Sequence, residues 1–327
     1  MAQERNLNLD LIKIIAMVFV IGMHSIANYY IGGININRFL KYTLCGSGIP
    51  LFFTVSGYLL LGRNNIDWHY SVKKIGGIVK FVFTICWIFW LLRFLFTGIP
   101  LWDKLYKDPL GAFLMGGTFW QFWYFGAMCL IYMVYPLINK IYNENEKLFN
   151  TIFICLIVIC SIIYVLNIIT PGTIEKKIPQ PLRLWNWLLY FFLGGYVKKN
   201  SKNMKWTMVF FSSLLYLIHI ILAKHINPSM FNAHYNYCSL LTLFNVYCIF
   251  QAFNSINTNS ISTGINLLSP LFLPVYTIHT GFIYAAPNIK LWFAPIAPIY
   301  WLLITIISIG VSWMIMQTKV GKLVFKI

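Results

Sequence analysis

Ten apolar stretches of roughly membrane-spanning length follow one another along this chain of 327 residues. A helix of about 20 apolar residues crosses the ~30 Å hydrocarbon core of a bilayer and satisfies its own backbone hydrogen bonds there. The stretches lie near residues 8–30, 44–62, 76–97, 118–138, 150–168, 184–197, 206–223, 237–253, 266–286 and 297–317. We therefore predict an all-α, polytopic integral membrane protein with about ten transmembrane helices in one bundle, forming a single domain over residues 1–327.

Composition supports this class and narrows the possible partners. Charged residues make up 10% of the chain, whereas a soluble domain has about 25%. The net charge of +17 needs no nucleic acid to explain it, because basic loops facing anionic lipid account for it. An even number of spans puts both termini on one side, where the loops hold fourteen Lys and Arg residues against nine on the other. The positive-inside rule then favours cytoplasmic termini.

The first stretch is unusual because it carries the ionisable residues Asp10, Lys13 and His24. Such groups are costly inside a membrane and often mark functional sites. Lys13 and His24 are eleven residues apart, which on a helix puts them on one face and about 16 Å apart. Asp10 precedes Lys13 by three residues, so we expect an ion pair between them. A structural hydrogen bond between helices is the alternative role for His24.

The order of Asp10, Lys13 and His24 resembles the first helix of the membrane acyltransferase-3 family, bacterial enzymes that acylate envelope glycans. The family signature there is a basic residue, usually Arg, then ten residues, then His. Lys13 keeps the charge of that Arg but not its bidentate geometry. Later blocks resemble the same family in the same order: Gly48–Leu60, whose Ser56-Gly57 pair lets helices approach closely, His69–Lys80, Trp123–Pro136 and Ser269–His279.

The resemblance implies an acyl-CoA-dependent membrane O-acyltransferase in the plasma membrane of a bacterium. Its co-substrate would be a cytosolic acyl-CoA, most often acetyl-CoA. Its acceptor would be a hydroxyl or amine of a cell-envelope saccharide or of a lipid-linked precursor. His24 would act as the general base or as an acyl relay. Lys13, held by Asp10, would orient the donor or stabilise negative charge on the thioester oxygen.

The other blocks supply the predicted substrate-binding residues. Lys binds phosphate as a point charge, so we expect Lys73 and Lys74 at the phosphates of coenzyme A, with positive-inside anchoring as the alternative. Gln121 stands where many relatives have His; it can hydrogen-bond a substrate but cannot shuttle a proton. Tyr276 and His279 share one helix face. The complete predicted binding set is Tyr58, Arg63, Lys73, Lys74, Gln121, Trp123, Tyr276 and His279.

Neither a bound cofactor nor a metal is predicted, because the seven cysteines form no C-x-x-C pair and no cluster with His. The polar loop Thr170–Arg183 is interpreted as a connector, with contact to the acceptor as the alternative. A different class also stays open. A transporter or flippase of glycan intermediates or small metabolites would equally place ionisable residues in the membrane. It should show repeat-related broken helices, and the sequence shows no such repeat. The formation of homo-oligomers stays open.

Overall fold

A computed structural model of the chain describes residues 6–26, 30–31, 34–35, 37, 40–98, 104–285, 289 and 292–325. Within them, β1 (Tyr30–Ile31) pairs antiparallel with β2 (Ile34–Asn35) over two residues each. Helices make up most of the rest, and the predicted all-α class is confirmed. They are α1 (Leu7–Ser25), α2 (Gly48–Leu60), α3 (Trp68–Thr97), α4 (Lys104–Phe113), α5 (Trp123–Glu144), α6 (Glu146–Ile169), α7 (Leu184–Lys199), α8 (Trp206–Ile226), α9 (Leu240–Asn254), α10 (Ser262–Leu268), α11 (Phe272–Ala285), α12 (Ala297–Gln317) and α13 (Lys319–Val324).

Among the described residues, seven helical segments are long and apolar enough to cross a membrane, which supports a multi-pass membrane protein. They are Leu7–Ser25, Trp68–Thr97, Trp120–Glu144, Glu146–Ile169, Trp206–Ile226, Asn259–Ala285 and Ala297–Gln317. Each of the ten predicted stretches overlaps a helix, but α2, α7 and α9 have only 13, 16 and 15 residues. At 1.5 Å per residue these three rise only about 20–24 Å, so the count of ten spans stays a prediction.

Parts of two sequence predictions lie outside the described residues. The first predicted stretch continues past the end of α1 over residues 27–29, and the ninth ends at residue 286. Four basic residues used for the loop count also lie there: Arg5, Arg38, Lys290 and Lys326. The side of the membrane that the termini occupy therefore stays a prediction.

The close contact between α2 and α7 lies at the centre of the bundle. A Cβ added to Gly57 would overlap the carbonyl of Phe191, and one added to Gly194 would overlap the carbonyl of Thr54. Glycine at these positions lets the two backbones touch, as small residues do between membrane helices. The packing role predicted for the Ser56-Gly57 pair is therefore confirmed at Gly57.

Antiparallel neighbours give the bundle two chemically different ends. Tyr70, at the start of α3, lies 6.0 Å from Tyr135, late in α5, measured between ring centroids. We call the end of the bundle that contains this contact the lysine end. It is defined by the basic residues Arg63, Lys73, Lys74, Lys198 and Lys199. The other end, the histidine end, is defined by the last turn of α1, the start of α5 and the loop Thr170–Arg183.

Candidate active site

Two histidines from different helices meet inside the histidine end. His24, in the last turn of α1, places its Nδ1 atom 2.9 Å from Nε2 of His279 on α11. The two rings are nearly parallel, with 7° between their planes and 5.2 Å between their centroids. His279 is fully buried. Both residues were predicted from the sequence as site residues, but their direct hydrogen bond was not.

The partners of His279 determine which ring nitrogens carry hydrogen. His279 Nδ1 lies 2.8 Å from the carbonyl oxygen of Tyr276 and 3.2 Å from that of Val275. A carbonyl can only accept, so Nδ1 carries the hydrogen, and Nε2 of the neutral ring has the lone pair. Nδ1 of His24 must then donate to His279 Nε2. The lone pair of a neutral His24 therefore lies on its own Nε2, as a base or nucleophile requires.

Gln121 packs against α11 and has one oxygen without a partner. The 3₁₀ turn Trp120–Phe122 positions it just before α5, and only 1% of the residue is exposed. Its Nε2 donates to Thr280 Oγ1 at 2.9 Å and to the carbonyl of Thr277 at 3.4 Å. Its Oε1 is buried and makes no hydrogen bond. Because a buried acceptor without a donor costs free energy, this oxygen is a candidate ligand contact.

Two tyrosines complete the hydrogen-bonded wall of the site. The Tyr276 hydroxyl donates to the backbone oxygen of Gln121 and so ties α11 to the turn before α5. Ser56 Oγ lies 2.9 Å from the carbonyl of Phe52, where its hydrogen must point. The Tyr124 hydroxyl lies 3.1 Å from Ser56 Oγ and therefore donates to it. The oxygen of Tyr124 keeps lone pairs that can accept from a ligand.

These side chains surround a cavity of about 20 Å³, which is room for one water-sized group. The lining residues are Val20, His24, Ile49, Phe52, Gln121, Trp123, Tyr124 and Tyr276. His24, Gln121, Trp123 and Tyr276 were predicted as site residues and are brought together here, with His279 directly behind His24. Within the described residues, no group of three or more His, Cys, Asp or Glu is placed to bind a metal ion.

Trp120 and Tyr124 are among the aromatic residues of this site that sequence reasoning missed. The Trp120 ring packs edge-on against His24, with 4.9 Å between ring centroids, and Tyr124 lines the cavity. Both flank predicted residues in the block around Trp123. That adjacency was the available signal, but an aromatic residue in an apolar stretch is so common that it predicts no contact by itself.

The predicted ion pair of the first helix is confirmed, but it lies away from the cavity. Lys13 Nζ is 3.0 Å from Asp10 Oδ1. Lys13 and His24 are eleven residues apart on the continuous helix α1, which separates them by about 16 Å along its axis. The catalytic roles predicted for Lys13 and Asp10 stay predictions, and the pair lies closer to the lysine end than to the cavity.

A groove at the lysine end collects several basic side chains. Lys73, Lys74 and Lys80 line a cavity of about 610 Å³ together with Tyr70. Arg63 reaches its edge, where Nη1 donates to the Tyr70 hydroxyl at 3.0 Å. We call this the lysine groove. Its volume falls in the range of about 300–1,000 Å³ that is typical of small-molecule sites.

Tyr58 is a predicted binding residue that lines neither cavity. Its ring lies 5.7 Å from that of Phe250, and Lys198 Nζ lies 5.8 Å from the Tyr58 centroid. It therefore lies among the helices of the lysine end, next to Lys198. Its predicted contact with substrate stays a prediction.

Comparisons with known proteins agree with these observations. The family model described as an acyltransferase domain matches residues 6–317, nearly the whole chain. The chain belongs to this acyltransferase family. The family resemblance found in the sequence is therefore confirmed.

The chain is also similar to an amino-acid racemase of Enterococcus faecalis, with 24% identity over 131 residues. The match covers 38% of this chain and 18% of the racemase. The chain thus spans less than a fifth of the length of that relative. No solved structure matches the chain.

Proposed function

We propose that this acyltransferase moves an acyl group, expected to be acetyl, from cytosolic acyl-CoA to a hydroxyl or amine of a cell-envelope saccharide or its lipid-linked precursor. The observation that carries the proposal is the hydrogen bond from His24 to His279. It orients a neutral imidazole whose Nε2 can accept a proton beside a small cavity. The family supplies the reaction class, acyl transfer.

In this proposal His24 is the general base. Its Nε2 accepts the proton of the acceptor group as that group attacks the thioester carbonyl. The tetrahedral intermediate then expels the thiolate, which takes the proton back from His24. His279 accepts from Nδ1 of His24 throughout, and this bond strengthens when the His24 ring becomes a cation. A covalent acyl-His24 relay is the alternative and suits reactants that approach from opposite faces of the membrane.

The lysine groove is the proposed site for the phosphates of the donor, because Lys attracts phosphate as a point charge. Tyr70 of the groove contacts Tyr135 on α5, and Tyr124 of the cavity lies eleven residues earlier on that helix. The two sites are therefore about 16 Å apart along α5. A donor held in the groove needs a long arm to reach His24, and coenzyme A has one in its pantetheine. Lys13, paired with Asp10, would orient this arm.

The proposed location is the plasma membrane of a bacterium, with both termini cytoplasmic. Two contacts support a common side for the termini. Near the N-terminus, Asn8 donates to the carbonyl of Asn254, the last residue of α9, at 2.8 Å. Near the C-terminus, Val324 lines the lysine groove. With this orientation the groove opens to cytosolic acyl-CoA. The histidine end then faces the opposite side, where envelope saccharides are found.

The test is acyl-CoA consumption in membranes that contain the wild type or one of three variants. Free thiol and the mass of acylated envelope glycans are both measured. The variants are His24→Ala, the groove variant Lys73→Ala/Lys74→Ala, and the control Lys104→Ala/Lys107→Ala. The control also removes two positive charges, but at the histidine end.

We expect thiol release and added acyl mass in the wild type, and neither with His24→Ala at equal protein level. We expect the groove variant to raise KM for acyl-CoA about 30-fold, at about 1 kcal/mol for each of the two lost charges near the surface, and the Lys104/Lys107 control to leave it unchanged. Acylation that persists with His24→Ala would reject the assigned base. A flippase would move glycan without consuming acyl-CoA.

A further inference from the structure

We infer that the short helix α13 forms an apolar wall of the lysine groove and holds the pantetheine arm of the donor there, with Gly321 as the residue that positions α13. The inference rests on the acyl-CoA donor proposed above and assigns the part of its binding site that the lysines do not explain. It starts from the lining of the groove, to which α13 contributes Leu323 and Val324.

The rest of the lining comes from one face of α3. Residues three or four positions apart share a helix face, and this spacing repeats from the first lining residue to the last, fourteen positions later. Fourteen positions rise about 21 Å, so the groove extends along several turns of the helix. The lining residues of α3 are Tyr70, Lys73, Lys74, Gly77, Lys80, Phe81 and Thr84.

The groove runs from the lysine end to the level of the cavity at the histidine end. At its outer end, Tyr70 contacts the late part of α5. Farther along α3, the Phe81 ring lies 5.6 Å from that of Phe125, measured between centroids. Phe125 directly follows the cavity residue Tyr124. A donor with its phosphates at the outer lysines would therefore place its arm beside Phe81, one aromatic side chain away from the cavity wall.

The two walls of the groove differ in polarity. The α3 wall carries three lysines, which attract phosphate. The α13 wall is apolar, and 77% of Leu323 is exposed and so available to a ligand. The Phe325 ring lies 5.9 Å from that of Phe81, which places α13 beside the inner part of the groove. Coenzyme A fits this arrangement, because its phosphates adjoin an arm that carries methyl and methylene groups.

Gly321 determines where α13 lies. Thr318 Oγ1 caps the helix by accepting from the Gly321 backbone N–H at 2.9 Å. A Cβ added to Gly321 would overlap the carbonyl of Ile315 in the last turn of α12. Glycine therefore lets α13 fold back against the end of α12, as small residues do between membrane helices. A larger residue must displace α13, and Leu323 and Val324 then move with it.

The test compares the binding of two ligands to the whole chain in detergent, with Kd measured by equilibrium dialysis. One ligand is coenzyme A, and the other is adenosine 3′,5′-bisphosphate, a phosphorylated nucleotide without the pantetheine arm. The variants are Leu323→Ser and Gly321→Ala. Val320→Ser is the first control, because Val320 is 67% exposed on α13 but does not line the groove. Gly310→Ala is the second, because a Cβ there meets no atom within 4 Å.

We expect Leu323→Ser to raise the Kd of coenzyme A about fivefold, because an apolar contact is lost. Gly321→Ala withdraws both apolar side chains and should raise it about tenfold. Neither variant should change the Kd of the bisphosphate, and the controls should change neither Kd. Lys73→Ala/Lys74→Ala should instead raise both Kd values about 30-fold.

Two results would overturn the inference alone: unchanged binding of coenzyme A in both α13 variants, or equal weakening of the two ligands. Leu323→Ser alters an exposed side chain, so it decides the question even if Gly321→Ala does not fold. A wild type that does not bind coenzyme A would reject the proposed donor itself.

Discussion

Gln121 and Glu175 are both buried polar side chains at the histidine end, yet their surroundings differ. The Glu175 carboxylate accepts hydrogen bonds from Asn167 at 2.6 Å, from Trp185 at 3.0 Å and from Asn186 at 3.2 Å. The Gln121 amide has its nitrogen bonded and its oxygen without a donor. A buried group with its bonds made stabilises a fold, whereas one left open in a native structure needs an explanation such as a ligand.

The charge around Glu175 also points to a structural role. Burial raises the pKa of the Glu175 carboxyl above its usual value, while the charge of Arg183 and the three donors act in the opposite direction. Arg183 donates from Nη2 to the Glu175 backbone oxygen at 2.7 Å and lies over the ring of Tyr235. The loop Thr170–Arg183 is therefore folded around its own charged residues, as expected of a connector with a fixed shape.

The largest expected effect is the loss of kcat in a His24 variant, which distinguishes the cavity region from the structural region around Glu175. We expect His24→Ala to lower kcat for acyl transfer by about 10²–10⁴-fold, because it removes the general base, with little change in melting temperature. Thiol release and thermal unfolding in detergent measure the two quantities. His225→Ala, at an exposed position of α8, is the control and should change neither. A His24→Ala protein with full activity would remove the cavity from the mechanism.

The next effect tests whether His279 positions His24 through the observed hydrogen bond. We expect His279→Leu to lower kcat about 10²-fold, because His24 loses the acceptor that fixes its tautomer. His279→Gln restores an acceptor and should recover part of kcat, while KM for acyl-CoA stays unchanged in both. Equal loss of kcat in the two variants would mean that His279 acts through packing alone.

Glu175 is expected to give the opposite pattern to His24. Glu175→Ala leaves the buried donors of Asn167, Trp185 and Asn186 without their acceptor. We expect a loss of about 3 kcal/mol of stability, seen as a lower melting temperature, with kcat per folded molecule unchanged. Glu144→Ala is the control, because its exposed pair with Lys140 at 4.0 Å contributes little. A kcat loss at full stability would instead place the Glu175 loop in substrate binding.

The sequence allowed the local part of the candidate site to be predicted. Helical spacing within one stretch was enough to predict the pair of Asp10 and Lys13 and to mark His24. The bond between His24 and His279 joins residues 255 positions apart. No local periodicity encodes such a contact, and the family blocks gave only the two residues, not their geometry. The open oxygen of Gln121 likewise depends on Thr277, which lies in the last block without a role assigned to it, and on Thr280, which lies just outside that block.

The same reasoning explains what was missed elsewhere in the fold. The loop Thr170–Arg183 is polar and rich in Pro, so the sequence gives no sign that Glu175 is completely buried. Its partners come from α6, α7 and their connection, and only tertiary packing brings them together. The apolar stretches correctly located α2, α7 and α9, but hydropathy does not show where a helix ends inside an apolar run. Helix length, and with it the span count, was therefore less predictable than helix existence.

The smallest expected effect concerns Lys13, which lies about 16 Å from His24 along α1. At that distance Lys13 can contact the pantetheine arm of the donor but not the thioester carbonyl, which is attacked beside His24. We therefore expect Lys13→Met to raise KM for acyl-CoA up to about tenfold, with less than a threefold change in kcat. Asp10→Asn/Lys13→Met, which removes both charges, should show the same KM and a more stable protein than the single variant, because no carboxylate is then left buried after losing its cation. A fall of kcat by 10²-fold or more at unchanged KM would place Lys13 at the thioester oxygen, and would require α1 to move relative to the cavity during the reaction.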